Sequence, residues 1–270
     1  MRKITAEAPG RSAGSSGPLA LDEVVFSYGR HAVLHGLTTE FSFGISGLLG
    51  VNGAGKTTAL RLLAGLACPS RGAVSFDGHS IDTGKARSDH RAQVGFLPQS
   101  PRWYPESTVA ELVSYVAVSR LRRGPHVAQA VAAALDAADM TELRDTRLGQ
   151  LSGGQLRRAF LAQAVVHDPP VLILDEPTAG LDPVQRIRLR ERVLLLAQSR
   201  VVVWATHIID DLVSMADQVV VLDCGVQRWR GTPGELVALG TESRPSGQSD
   251  AVSAGERGFL TILSPGQVSE

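Results

Sequence analysis

The sequence predicts an α/β protein with a mostly parallel sheet, an antiparallel β region before it and a helical insert within it. One observation is a set of short, largely apolar runs typical of buried parallel strands, at residues 45–49, 93–97, 171–174, 201–205 and 218–222. A second is that segments with apolar residues at helical spacing lie between several of these runs, as α/β units require. A third is the stretch of about residues 103–165, where helical patterns dominate.

The N-terminal part supplies the tail and the antiparallel region. Residues 1–18 are rich in Gly, Ser, Ala and Pro and lack apolar periodicity, which predicts a disordered tail. Residues 21–28 and 32–43 are predicted strands, separated by a turn at Gly29-Arg30, and residues 73–76 form another. The main domain is therefore expected to span residues 19–240.

The middle and the end of the chain differ in composition and in the spacing of their apolar residues. The insert shows apolar residues at helical spacing and then an alanine-rich run, residues 127–138. After Gly240 the sequence becomes polar and rich in Gly and Ser, so residues 241–270 are expected to be a mostly disordered tail. Within that tail, residues 259–263 are the one candidate for a further short strand.

Charge and cysteine content exclude several classes of protein. The 270 residues include 27 basic and 27 acidic side chains, a balance that does not indicate a nucleic-acid binder or a polybasic membrane anchor. No apolar run approaches the ~20 residues needed to span a bilayer. Cys68 and Cys224 are too few for a disulfide framework or a zinc site, which favours a reduced compartment.

Residues 50–58, GVNGAGKTT, match the phosphate-loop pattern G-x-x-x-x-G-K-[ST] and lie between a predicted strand and a predicted helix. A helix start offers unpaired N–H groups and about half a positive charge, which suits a nucleotide triphosphate. Lys56 is expected to reach the β- and γ-phosphates, and the Thr57 hydroxyl to ligate Mg²⁺. The residues expected to bind nucleotide here are Asn52, Gly53, Ala54, Gly55, Lys56, Thr57 and Thr58.

Two carboxylates end an apolar strand further along, in residues 171–176, VLILDE. Such a strand delivers them to the carboxyl edge of the sheet, where ligands bind in open α/β folds. In that reading Asp175 holds Mg²⁺ and Glu176 orients the attacking water. The alternative is a strand end followed by acidic turn residues, and this segment alone leaves both open.

A second helix start suited to anions follows at residues 151–155, LSGGQ. Ser152 is a preferred N-cap residue, and the glycines after it, including Gly154, expose the first N–H groups of the helix. A capped helix after a tight turn is the plainer alternative.

Taken together, GVNGAGKTT, LSGGQ, LILDEPTAGLD and a histidine after the next strand resemble the ATP-binding-cassette (ABC) ATPases, with their P-loop NTPase core, over about residues 19–240. The resemblance implies further site residues. Tyr28 would stack on adenine, and Gln99 would sense Mg²⁺ and the attacking water. Asp182 would reach the partner subunit, and His207 would hydrogen-bond the γ-phosphate.

The same resemblance implies partners and a location. Two head-to-tail copies, or one copy and a homologous ATPase, would sandwich two ATP molecules, with Ser152 and Gly154 of one subunit closing over the ATP of the other. An integral membrane permease would hold the pair at the inner face of the cell membrane, with no nucleic acid involved. The sequences of residues 44–50 and 94–99 are similar to those of ATPases from bacterial exporters of drugs, antibiotics and lipids or polysaccharides.

Two alternatives in function remain at this stage. One is a soluble ABC ATPase without a transport role, for example in cluster assembly. The other is a P-loop GTPase, which the absence of an N/TKxD-type guanine motif argues against.

The segment after Gln99 is a candidate docking site for the permease. Residues 100–105, SPRWYP, carry two prolines and are not expected to form a regular helix or strand. Trp103 and Tyr104 are residue types enriched at interface hot spots. The alternative is that Trp103 packs the insert against the core.

Overall fold

The computed structural model describes residues 17–121, 126–242 and 252–264. Its N-terminal part is a four-stranded antiparallel sheet with the strand order β2-β1-β4-β5. The strands are β1 (Leu19–Tyr28), β2 (His31–Phe41), β4 (Arg71–Phe76) and β5 (His79–Ser80). The predicted antiparallel region is thus confirmed, and it packs over the larger sheet through buried Leu, Val and Phe side chains.

The second sheet has six strands in the order β10-β9-β3-β8-β7-β6. These are β3 (Gly44–Leu49), β6 (Val94–Leu97), β7 (Val171–Asp175), β8 (Val201–Thr206), β9 (Gln218–Asp223) and β10 (Val226–Gly231). All neighbours are parallel except β9 and β10. Because parallel strands end at one edge, the residues that follow β3, β6, β7 and β8 meet there.

Helices cover the large sheet and build the insert. They are α1 (Lys56–Leu63), α2 (Gly84–Arg91), α3 (Val109–Leu121), α4 (His126–Ala137), α5 (Gly153–Val165), α6 (Pro183–Ala197), α7 (Ile209–Val213), α8 (Pro233–Glu242) and α9 (Ala254–Leu263). Helices α3, α4 and α5 form the predicted helical insert. None of the helices in the described ranges combines the length and apolar character that crossing a bilayer requires.

The C-terminal prediction was wrong in one respect. Residues 259–263 do not form a strand but the last turns of α9, which begins with a capping box at Ser253 and Glu256. Phe259 is buried against the core, and glycines let α9 approach α8 closely, so part of the segment predicted as a tail is an ordered helix. The predicted N-terminal tail, apart from residues 17 and 18, lies outside the described residues, as do residues 243–251 and 265–270.

Candidate functional site

The carboxyl edge of the large sheet brings the strongest sequence motifs together. The loop after β3 leads into α1, and Pro98 and Gln99 follow β6. Glu176 follows β7 directly, and His207 follows β8. Since β3, β8 and β7 are adjacent and in register, these loops are neighbours in space.

A pocket of about 630 Å³ opens at this edge. Among the predicted site residues, those that line it are Asn52, Gly53, Ala54, Gly55, Lys56, Thr57, Thr58, Gln99 and Glu176. The other lining residues are His31, Ala32, Val33, His35, Val51 and Cys224. The predicted residues outside the lining are Tyr28, Ser152, Gly154, Asp175, Asp182 and His207.

The phosphate loop has the backbone that its glycines permit. Gly53 and Gly55 have φ angles of 84° and 102°, in the region that favours glycine. Gly55 is the residue before α1, and a β-carbon there would also come within 2.9 Å of Leu34. Lys56 is buried, and its Nζ donates to the carbonyl oxygens of Gly50, at 2.7 Å, and Val51, at 3.3 Å.

Asp175 and Thr57 form one corner of the site. The Thr57 hydroxyl donates to Asp175 Oδ2 at 2.9 Å. Asp175 is 1% exposed, and burial raises the pKa of its carboxyl above the ordinary value, helped by the negative charge of Glu176 and opposed by the Thr57 hydrogen bond. Its Oδ1 atom is buried and has no hydrogen-bond partner among the described residues. An unpartnered carboxylate oxygen beside a hydroxyl oxygen is a donor pair that suits Mg²⁺.

Glu176 lies at the centre of a small polar network. Its Oε1 is 3.3 Å from Lys56 Nζ, and both of its carboxylate oxygens are 3.0 Å from His207 Nδ1. The Glu176 φ angle is 47°, a conformation that costs free energy for a residue with a β-carbon. Its N–H donates to Ala205 O at 2.9 Å, which fixes the start of the loop against β8.

Arg157 lies close to the carboxylates of Asp175 and Glu176, although no sequence motif pointed to it. It lies on α5, and its two terminal nitrogens donate to Pro98 O at 3.1 Å and Gln99 O at 2.7 Å. Burial lowers the pKa of its guanidinium, and the nearby carboxylates of Asp175 and Glu176 oppose that shift. A single side chain therefore ties the helix after LSGGQ to the loop that carries Gln99.

The LSGGQ segment forms the predicted capped helix start and lies apart from the pocket. The exposed Ser152 accepts from the Gln155 N–H, and the Gln155 side chain accepts from the Ser152 N–H in return. A β-carbon on Gly153 would meet no atom within 4 Å, whereas one on Gly154 would come within 2.4 Å of Gln185 Oε1. Asp182 is exposed nearby, as the N-cap of α6, and accepts from the Gln185 N–H at 2.9 Å.

Tyr28 lies at the end of β1 and makes an edge-to-face contact with Phe26, with ring centroids 4.9 Å apart. The pocket wall on that side comes instead from β2 and from the β9–β10 turn, at His31, Val33, His35 and Cys224. The i, i+2, i+4 spacing on β2 was a usable signal, since those side chains share one face of a strand. Cys224 had none, because its position depends on the pairing of β9 with β3.

Comparison with known proteins decides the family. The family model for ABC transporters matches residues 37–179, which is more than half of the chain. The chain belongs to the ABC transporter family.

Individual relatives of this ABC ATPase agree in sequence and in fold. The Nod factor export ATP-binding protein I of Burkholderia orbicola is 38% identical over 228 residues, 83% of this chain and 73% of that protein. The structure of cbiO1 from Clostridium perfringens, part of the ABC transporter complex cbiONQ, is 30% identical with a TM-score of 0.75, covering 82% of this chain and 90% of that one. A bacterial Atm1-family ABC exporter with ATP bound gives 26% identity and a TM-score of 0.72, over 87% of this chain and 42% of that one.

Membership in the family gives the core of the function. This chain is the ATP-binding subunit of a transporter, and it hydrolyses ATP. The recognition made from GVNGAGKTT, LSGGQ and LILDEPTAGLD is thereby confirmed, as is the α/β fold with its helical insert.

Proposed function

We propose that this ABC ATPase powers an exporter, working as a head-to-tail pair whose two ATP molecules are each bound between subunits. The observation that carries the pairing is the separation of the site into two parts. Lys56, Thr57 and Glu176 line the pocket, whereas Ser152 and Gly153 start a helix that faces solvent outside it. A helix start is suited to binding anions, but this one lies outside the pocket of its own chain. It would contact ATP only in the pocket of a second subunit. Export is inferred from the relative that is named as an export ATP-binding protein.

The predicted site residues divide the work of binding and hydrolysis, although Tyr28, Asp175 and His207 do not line the pocket. The loop N–H groups and Lys56 bind the phosphates, and Tyr28 stacks on the base. Thr57, Asp175 and Gln99 are the residues that would hold Mg²⁺, which when bound neutralises charge on the β- and γ-phosphate oxygens. Glu176 accepts a hydrogen bond from the attacking water and aligns it, and His207 holds the Glu176 carboxylate in place through its 3.0 Å contact.

The paired arrangement gives a switch driven by the ligand. ATP adds contacts between the phosphate loop of one subunit and Ser152, Gly154 and Asp182 of the other, which favours the closed pair. Hydrolysis converts ATP into two anions, ADP and phosphate, which repel each other. It also breaks those contacts, so the pair opens. This cycle is the motion that a membrane partner would use.

We place the permease contact at residues 101–104, which line a groove next to Gln99. Trp103 is partly buried against the core. This supports the alternative that Trp103 packs the segment against the core and anchors it there. Tyr104 is 81% exposed and is the residue available to a partner. Docking there would hold the ATPase at the inner face of the cell membrane through the permease.

Tyr104→Glu tests the docking. The neighbouring genes are first searched for a product with several apolar spans, and the ATPase is co-expressed with that candidate permease and purified in detergent. Leu195→Glu is the matched control, because Leu195 is an exposed apolar residue on α6 and does not line the groove. We expect Tyr104→Glu to retain ATP hydrolysis and lose at least about tenfold in co-purification, which is about 1.4 kcal/mol of binding, and Leu195→Glu to lose neither.

Two outcomes would contradict the proposal. Normal recovery of the membrane protein with Tyr104→Glu would remove the groove from the interface. Purification of the wild-type ATPase with soluble assembly factors, and never with a membrane protein, would instead favour the cluster-assembly alternative.

A further inference from the structure

Asp211 on α7 is a buried carboxylate close to the site, and none of the catalytic roles above involves it. Its relative exposure is 0%. Asp211 Oδ2 accepts from the Thr178 hydroxyl at 2.5 Å, and Oδ1 is 3.4 Å from Arg190 Nη1. Thr178 is also fully buried. A buried carboxylate is costly unless it is paired and hydrogen-bonded, and Thr178 and Arg190 supply those contacts.

The position of this pair along the chain is informative. Thr178 comes two residues after Glu176, and Asp211 comes four residues after His207. The segment after β7 and the segment after β8 therefore touch twice. The first contact is between Glu176 and His207, and the second is the buried contact between Thr178 and Asp211.

Glu176 has a particular need for such support. Its φ of 47° is a conformation that a residue with a β-carbon keeps only where the surrounding structure enforces it. The N–H of Glu176 is fixed to Ala205 O, which restrains one side of the residue. On the other side, the next side chain that bonds into the interior is Thr178.

The helix that carries Asp211 is itself held from two directions. Arg190 Nη1 donates to Ser214 Oγ at 2.9 Å, and Ser214 Oγ donates to Asp211 O at 3.0 Å. On its other face, a β-carbon on Gly255 of α9 would come within 2.9 Å of Ile209, which shows how closely α9 packs on α7. Asp211 is thus a fixed point on which the Thr178 loop can be positioned.

We propose that Thr178 and Asp211 are positioning residues for ATP hydrolysis. Their buried hydrogen bond sets the distance between the Glu176 loop and helix α7, which follows His207, so that the Glu176 carboxylate stays aligned for the attacking water. This inference rests on the proposed role of Glu176. It adds two residues that touch neither nucleotide nor water and on which the rate of hydrolysis nevertheless depends.

The test uses a substitution that keeps shape and removes the bond. Thr178→Val deletes the hydroxyl, Thr178→Ser restores it, and Asp211→Asn keeps the shape of the acceptor without its charge. Thr39→Val is the matched control, because Thr39 is a buried threonine in β2 whose hydroxyl has no partner in the described ranges. The measurements on the full chain are kcat, KM, the Kd for ATP and the melting temperature.

We expect Thr178→Val to lower kcat by about ten- to a hundredfold, the cost of misplacing a catalytic group by a fraction of an ångström to an ångström. The Kd for ATP should stay within twofold, because the phosphate loop is a separate element. Thr178→Ser should recover most of the rate, and Thr39→Val should match the wild type. Adding Asp211→Asn to Thr178→Val should cost little more, since the shared bond is already gone.

Two results would overturn the proposal, and a third would remove the role of Glu176 on which it rests. Wild-type kcat in both Thr178→Val and Asp211→Asn, while Glu176→Gln is inactive, would show that the buried bond has no part in catalysis. Parallel losses of kcat, ATP affinity and melting temperature in both variants, without rescue by Thr178→Ser, would make the pair merely structural. Normal turnover of Glu176→Gln would instead remove the role of Glu176 itself, which is a different failure.

Discussion

The two helix starts of this molecule, α1 and α5, are suited to anions in the same way and placed differently. The start of α1 is enclosed, because Lys56 is buried, is bonded to Gly50 and lies 3.3 Å from Glu176. The start of α5 is open, because Ser152 and Gly153 are exposed and the capping bonds run only to Gln155. In the proposed pair, the open start of α5 in one subunit covers the pocket at the start of α1 in the other.

This difference separates what a subunit does alone from what needs a second copy. Changes at the enclosed start should alter binding or chemistry in the isolated chain. Changes at the open start should leave the isolated chain unaffected and act only on the pair.

The largest effect is expected at Glu176. Glu176→Gln keeps the size of the side chain and removes the charge that we propose aligns the attacking water, so hydrolysis should fall by about 10²- to 10⁴-fold. ATP binding should persist, because the phosphate loop is unchanged. Lys56→Ala should do the opposite and weaken ATP binding itself, since it deletes the charge that we propose contacts the phosphates. Single-turnover hydrolysis and nucleotide titration on each variant check the split, and near-wild-type turnover in Glu176→Gln would contradict the assignment.

A smaller effect concerns Asp175 and pH. Because burial raises the pKa of this carboxyl, the folded state holds its proton more tightly than the unfolded state does, so its ionisation at higher pH destabilises the fold. Without Mg²⁺ and nucleotide, Asp175→Asn should therefore melt about 2–4 °C above the wild type at pH 7.5, which is about 1 kcal/mol for a protein of this size.

The difference between Asp175→Asn and the wild type should shrink as the pH falls through the raised pKa, and it should vanish below the ordinary Asp value of about 4, where both states are protonated. Melting curves across pH check this. A wild type that is more stable than Asp175→Asn at pH 7.5 would show that the carboxylate is stabilised in place. The Mg²⁺ assignment would then lose its support from the unpartnered oxygen.

The sequence predicted the parts of this site that repeat a local pattern. The phosphate loop at Lys56 and the strand ending in Asp175 could be predicted from a local motif and the residues on either side of it. Both lie at the carboxyl edge of the large sheet, as predicted. Arg157 and Asp211 could not be predicted from the sequence, because each contacts a residue that is distant along the chain. An Arg or Asp on a helix also has no distinctive local sequence pattern. The α9 helix was misread for a related reason. Its short apolar run fits a strand or a helix equally, and packing of Phe259 and Gly258 on α8 decides between them.

The most direct test of the account is the mass of the Glu176→Gln protein in the presence of ATP, measured by light scattering. Gly153→Arg is added in one sample and Gly84→Arg in another. Gly84 and Gly153 are both the first residue of a helix, and neither has an atom within 4 Å of a β-carbon, so the two changes are matched in place and size. We predict twice the 28.6 kDa of the chain for Glu176→Gln and for its Gly84→Arg form, and 28.6 kDa for its Gly153→Arg form. A monomer in all three samples, or a dimer that Gly153→Arg leaves intact, would contradict the claim that the open helix start of one subunit completes the pocket of another.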